Sequence, residues 1–211
     1  MPRLIAFGDS YTHGHWLDDC VPPNDTHPSK LAWPEVLGNK MGLEVHNMSS
    51  PGAGNLEILD NVLSFHYGVD DLVVIGWTYS SRDIIYKRPT LDKKKFTRIS
   101  IWNNDDVTDA WRKVHTEYDM SVRSALYIHH AEVFLENLKI RQVHFMSMMP
   151  RWKILSYETG KRLPQWKFHP KYLVPKVILP TKDYAQDKKH PGVISNQIAA
   201  YRLYREINET K

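Results

Sequence analysis

A chain of 211 residues, 42% hydrophobic and 25% charged, has the material for one domain with a substantial core and is not the composition of a disordered chain. Its apolar runs fall far short of the ~20 residues of a bilayer-spanning helix, so no membrane partner is expected. The formal charge of +4 draws on the runs Lys87-Arg88 and Lys93-Lys94-Lys95, but acidic residues are scattered among the same segments. No nucleic-acid motif accompanies them, so they read as solvated loop and no nucleic-acid partner is expected.

Met1-Pro2-Arg3 passes directly into the strand-like Leu4-Ile5-Ala6-Phe7, without the apolar core and small-residue cleavage site of a secretory signal. Cys20 is the single cysteine, which rules out an intrachain disulfide and a thiolate metal cluster; it reads as a bystander thiol. Together these features predict a cytoplasmic protein.

Residues 3–8 read as a buried strand that ends at Gly8-Asp9-Ser10. A polar loop from Asp18 to Pro28 follows, then a helix over Lys30–Met41 with Ser29 as a candidate N-cap and Pro34 in its first turn. Leu43–His46 is a second strand, and Ser49-Ser50-Pro51-Gly52-Ala53-Gly54 is a tight loop opening a helix over Asn55–Phe65. Asp71–Gly76 is the clearest strand, a continuous β-branched run of the kind buried on both faces of a parallel sheet. Residues 96–103 suggest a short strand or hairpin arm. A helical stretch from Asp109 to Leu138 is broken near Asp119, and Gln142–Met148 is another strand. Arg151–Pro180 has no clean period and reads as a long insertion; the chain closes with a helix over Ile194–Ile207.

Strands alternating with helices predict an α/β sandwich around a parallel sheet, in one domain spanning 1–211 with insertions at about 87–108 and 151–180. Ligands of such sheets sit beyond the carboxyl ends of the strands. The polar motifs fall there: Gly8-Asp9-Ser10, the Gly52 loop, and Gly76-Trp77-Thr78.

A serine hydroxyl becomes a nucleophile when a base takes its proton during attack. Ser10 lies in a glycine-flanked turn after a strand, and Asp187-Lys188-Lys189-His190 offers a carboxylate three residues from an imidazole, just ahead of the last helix. Among eleven histidines an Asp-x-x-His is easily found by chance, so its position carries the argument. Ser10 N–H, Gly52 N–H and the Thr78 side chain are the candidate oxyanion donors. His13, His15, Asp18 and Asp19 match no metal-site spacing, and neither a metal nor any other cofactor is expected.

These motifs resemble those of the SGNH (GDSL-like) hydrolase superfamily, in order and over nearly the whole chain. Gly8-Asp9-Ser10-Tyr11-Thr12-His13-Gly14 is similar to its first motif, Asn47-Met48-Ser49-Ser50-Pro51-Gly52 to its second, and Asp187 with His190 to its last. The resemblance implies a flavodoxin-like three-layer α/β/α sandwich, metal-free catalysis by Ser10, His190 and Asp187, and an oxyanion hole at Ser10, Gly52 and position 78. The third motif, Gly-x-Asn-Asp, departs: Gly76-Trp77-Thr78-Tyr79 stands in its place, so a threonine replaces the asparagine.

The expected reaction is hydrolysis of a short-chain carboxylic ester through an acyl-enzyme. Trp77, Tyr79, Trp152, Trp166 and Phe168, interleaved with basic residues, suit a sugar, so an O-acetyl group on a glycan is the leading substrate. Asp9, Trp77, Tyr79 and Arg82 are the candidate substrate contacts, with a structural ion pair the other reading of Arg82. Acyl transfer by the same serine, or a binding module weakened by Thr78, are the alternatives.

Overall fold

The computed structural model describes residues 2–86, 96–100, 102–147, 171–178 and 180–209. The basic runs at 87–95, the end of the strand predicted to reach Met148, and Trp152, Trp166 and Phe168 lie outside the described residues.

In chain order the elements are β1 (Arg3–Phe7), α1 (Ser10–His13), α2 (Trp33–Met41), β2 (Glu44–Asn47), α3 (Asn55–Ser64) and β3 (Leu72–Trp77). They continue with β4 (Arg82–Tyr86), β5 (Phe96–Ser100), α4 (Asp106–Val114), α5 (Glu117–Asn137), β6 (Arg141–Met146), β7 (Leu173–Ile178) and α6 (Val193–Glu209). Five strands form a parallel sheet in the order β2-β1-β3-β6-β7, and β4 and β5 pair antiparallel as a separate hairpin. This is the flavodoxin-like order, whose direction of winding reverses between β1 and β3.

The two central strands explain the layers. Side chains alternate across a strand, so a run apolar at every position needs cover on both faces. Ile5, Phe7, Val73, Ile75 and Trp77 pack on one face against Ile58, Leu59 and Val62 of α3 and Ile128, Ala131 and Leu135 of α5. Leu4, Ala6, Leu72 and Val74 pack on the other against Trp33 and Leu37 of α2 and Ala199, Ala200, Leu203 and Ile207 of α6. The result is an α/β/α sandwich. No helix among the described residues is long and apolar enough to cross a membrane.

Several boundaries differ from the sequence reading, each for a physical reason. The N-cap of α2 is Ala32 rather than Ser29, because Pro34 fits only the first turn of a helix. Ser29 instead bonds Asp19 and accepts the Leu31 amide. The long helix breaks at Thr116, whose hydroxyl accepts the Asp119 amide at 3.1 Å and so caps α5. Within the stretch read as an irregular insertion, Leu173–Ile178 is a strand of the main sheet. Pro175 obscures it, and proline is tolerated because β7 is an edge. β4 escapes the sequence reading altogether, since its partner lies beyond the intervening segment.

One polar side chain sits inside this core. His144 on β6 is 0% exposed; its Nδ1 lies 3.4 Å from Trp77 Nε1, and its Nε2 has no partner among the described residues. Burial alone pushes it down from the ordinary 6.5 to about 3. Between those values the unfolded chain holds a proton that the folded chain refuses, so stability falls as pH drops from 6.5 toward 3. His144→Gln is expected to flatten that fall, read as a smaller change in urea midpoint between about pH 7 and about pH 4.5.

Candidate active site

β1 ends at the carboxyl end of the sheet, and the chain turns at Gly8, where a Cβ would run into the side chain of Thr12. Asp9 then caps α1 through its Oδ1, which accepts the Tyr11 amide at 3.0 Å. This turn presents Ser10 at the first position of α1, on the carboxyl side of β1 and beside the end of β3.

The chain brings the three residues of the first and last motifs together across 180 positions. His190 Nε2 lies 3.1 Å from Ser10 Oγ, and its Nδ1 lies 2.6 Å from Asp187 Oδ2. A proton on Nδ1 is donated to the carboxylate, which leaves Nε2 as the acceptor of the serine hydroxyl. The other oxygen of Asp187, Oδ1, accepts the His190 and Lys189 amides at 3.0 Å each. Desolvation pulls the Asp187 carboxyl upward, but the amides of His190 and Lys189 and the imidazole outweigh it, so its pKa lies below the ordinary carboxylate value. The carboxylate therefore stays ionised to lower pH than an ordinary aspartate does. The ring is wedged edge-on by Tyr11 at 5.2 Å and by His15 at 5.5 Å between centroids.

The Gly52 loop follows β2 on the same side of the sheet. Ser50 donates its amide to Gly8 O at 3.2 Å, and Asn47 Nδ2 donates to Thr12 O at 2.9 Å, which bind the loop to the Ser10 turn. Gly52 has φ 78°, a conformation that suits glycine. Neither the Ser10 amide nor the Gly52 amide donates to an acceptor among the described residues.

Thr78, Asp9 and Arg82 form one network. Thr78 is 0% exposed, and its hydroxyl donates to Asp9 Oδ2 at 2.6 Å. Arg82 Nη1 donates to the same oxygen at 2.9 Å and lies 3.2 Å from Thr78 Oγ1. The Thr78 amide donates to Asn55 Oδ1 at 2.9 Å. Both donors of Thr78 are thus committed within the protein. Asp9, expected among the substrate contacts, is 1% exposed and engaged by three donors within the protein. Arg82 takes the structural ion pair rather than an open face. Trp77 is a correction of a different kind: the ring is fully buried in the core against His144 and presents nothing to a ligand. Tyr79 stays at the rim, where its ring meets Trp102 at 5.2 Å.

The sequence reading missed three residues that build this site. Asn55 holds Thr78 from both sides, since its Nδ2 also donates to Thr78 O at 3.2 Å. A polar residue at the start of an apolar helix was the available signal. Arg98 on β5 donates to Pro51 O at 2.8 Å and Ser50 Oγ at 2.7 Å, and pairs with both oxygens of Glu57 at 2.9 and 2.7 Å. Trp102 follows β5. Nothing in a single sequence points to Arg98 or Trp102, because both arrive through the β4–β5 pairing.

The remaining polar candidates are otherwise engaged. His15 Nε2 lies 3.1 Å from Asp25 Oδ2, and His13 lies between the carbonyls of Ser49 and Asp25. Among the described residues, no group of three or more His, Cys, Asp or Glu side chains is arranged to hold a metal. Cys20 is buried, and burial pushes its thiol up to about 11. A cavity of about 410 Å³ lined by Glu136, Arg141, Gln142 and Tyr172, among others, opens at the far, N-terminal end of β6. Its lining shares no residue with the Ser10, Asp187 and His190 cluster at the carboxyl ends.

No protein-family model matches the chain, and no curated protein matches it either. Solved structures match it in fold. A carbohydrate esterase, whose active site is described as displaying divergent catalytic and non-catalytic binding functions, aligns with TM-score 0.60 at 16% identity, over 99% of this chain and 65% of its own. An acetyl xylan esterase from the rumen bacterium Butyrivibrio proteoclasticus aligns with TM-score 0.58 at 14% identity, over 99% and 64%. A member of the lipolytic G-D-S-L family from Veillonella parvula aligns with TM-score 0.50 at 12% identity, over 96% of each chain. The chain therefore spans less than two thirds of the length of these two carbohydrate esterases. At these identities the likeness is one of fold, an α/β/α sandwich of the SGNH, flavodoxin-like kind.

Arg98→Ala leaves the Glu57 carboxylate, with a side chain 7% exposed, without its cation, and frees the Gly52 loop. A loss of about 1–3 kcal/mol is expected, read as a lowered urea midpoint. Adding Glu57→Gln should recover part of it; an unchanged midpoint for Arg98→Ala would show that the clamp does not hold the loop.

Proposed function

We propose that this chain is a serine esterase that removes a short acyl group, an O-acetyl group on a carbohydrate being the best fit. The observation that carries this reading is the hydrogen-bonded line Asp187–His190–Ser10, at 2.6 and 3.1 Å, at the point where the sheet reverses its winding.

Ser10 Oγ attacks the ester carbonyl carbon while its proton passes to His190 Nε2, and the carbonyl π pair moves onto oxygen. Collapse of this tetrahedral species expels the alcohol, which takes the proton from Nε2 and leaves an acyl-Ser10. Water then repeats the sequence with the same imidazole as base, releasing the acid and restoring Ser10. Asp187 keeps Nδ1 protonated and stabilises the imidazolium formed at each attack. The amides of Ser10 and Gly52 serve the oxyanion, because each is without a partner among the described residues and each is fixed by backbone. Thr78 joins them only by releasing Asp9.

Ser10 is 4% exposed, which suits a small acyl group better than a long chain. The likeness in fold to carbohydrate esterases supports a sugar as the alcohol. Commitment of the Thr78 hydroxyl to Asp9 is the observation that favours the second reading, a module that binds a glycan ester and turns it over slowly or not at all.

Hydrolysis of p-nitrophenyl acetate should exceed that of p-nitrophenyl octanoate, and Ser10→Ala and His190→Ala should each lose about a thousandfold or more in kcat/KM. Activity should decline in acid, because an imidazolium cannot accept the serine proton. A wild type no faster than the two variants, while still retaining ligand, would move the binding module ahead of the esterase.

A further inference from the structure

We propose that Trp102 is a stacking platform for a neutral pyranose ring, which seats the acylated sugar beside Ser10. The inference rests on the esterase reading above and names the part of the substrate that this rim recognises.

Trp102 is 55% exposed, whereas Trp33 and Trp77 are fully buried and Trp111 is 7% exposed. An indole left in water forgoes the gain of burying its apolar face, about 25 cal/mol per Å². Exposure here is not a consequence of looseness. The Tyr79 ring meets Trp102 edge-on at 5.2 Å and 70°, and the Arg82 guanidinium lies 5.1 Å from the Trp102 ring centre and 5.3 Å from that of Tyr79. Arg82 is in turn held by Asp9 Oδ2 at 2.9 Å, and Asp9 is the residue before the nucleophile. The indole is therefore gripped by protein and fixed relative to Ser10, while more than half of it faces solvent.

A flat, rigid aromatic face complements the C–H face of a pyranose, whose hydroxyls stay solvated around its edge. Charge selects the kind of sugar. The Arg82 cation is already met by the Asp9 carboxylate, so the platform offers no uncompensated positive charge to a uronic acid. Tyr79 adds a second aromatic wall on the same rim.

The test uses the ratio of kcat/KM on acetylated xylo-oligosaccharides to kcat/KM on p-nitrophenyl acetate, which carries no sugar. Trp102→Leu should lower this ratio about tenfold, mainly by raising KM on the oligosaccharide, and Trp102→Phe should restore most of it. Loss of the aromatic face, rather than of apolar bulk, is what these two variants separate. An unchanged ratio in Trp102→Leu, or an equal loss in both variants, would overturn the platform. Calorimetry of the Ser10→Ala chain with xylotetraose and cellotetraose gives a readout independent of turnover. Binding kept by Trp102→Phe and lost by Trp102→Leu supports the platform even if no ester is cleaved, in which case it is the esterase reading that fails. Binding of neither sugar, or equal binding by both variants, removes the platform whatever the fate of the esterase.

Discussion

A carboxylate withdrawn from water costs several kcal/mol unless charge and hydrogen bonds compensate it, and the carboxylate of Asp9 is 1% exposed. Its compensation is spread over three parts of the chain: the Tyr11 amide in the Ser10 turn, the Thr78 hydroxyl after β3, and the Arg82 guanidinium at the start of β4. Satisfying one buried charge thus fixes the Ser10 turn, the end of the neighbouring strand and the hairpin in mutual register. The same residue that shapes α1 at its N-cap draws in the arginine on which Tyr79 and Trp102 are stacked.

The sheet determines where this can happen. Between β1 and β3 the connections leave toward opposite faces of the sheet, so the loops at their carboxyl ends part and open a crevice. Ser10 follows β1, Thr78 follows β3, and the Gly52 loop follows β2. His190 enters the crevice from the turn that precedes α6, whose Ala199 and Ala200 let the helix lie close against the sheet. The edges of the sheet carry the less demanding work, and β7 can therefore include a proline.

The legible parts of the sequence are those whose signal is local. β1 and β3 announce themselves because strands buried on both faces must be apolar at every position, and the layered architecture follows from their alternation with helices. Ser10, Asp187 and His190 were legible because each sits in a short motif beside an element boundary, and the structure brings these three within hydrogen-bonding reach. β4 was not, since a strand of a two-stranded hairpin needs only its partner, and Arg82–Tyr86 carries no run or alternation of its own. Trp77 misled for the opposite reason: an aromatic residue at the end of a strand can face the crevice or the core, and residue type does not distinguish the two. Arg98 and Trp102 depend on long-range pairing that no window of residues contains.

Replacement of the expected asparagine by Thr78 has a consequence in hydrogen-bond arithmetic. An asparagine amide has two protons and could serve a neighbour and an oxyanion at once, whereas a threonine hydroxyl has one. In this chain Asp9 takes that proton. Under the proposed mechanism the oxyanion then falls chiefly to two backbone amides, which cannot rotate toward a substrate and must be placed beforehand. Ser10 is placed by the capped turn of α1. Gly52 lies in a loop that depends on Arg98, which grips Pro51 O and Ser50 Oγ from the hairpin and is itself anchored by Glu57 of α3. On that mechanism a site with fewer side-chain donors transfers its precision to an ion pair outside the crevice, and the hairpin that carries Arg98 takes part in holding the Gly52 loop.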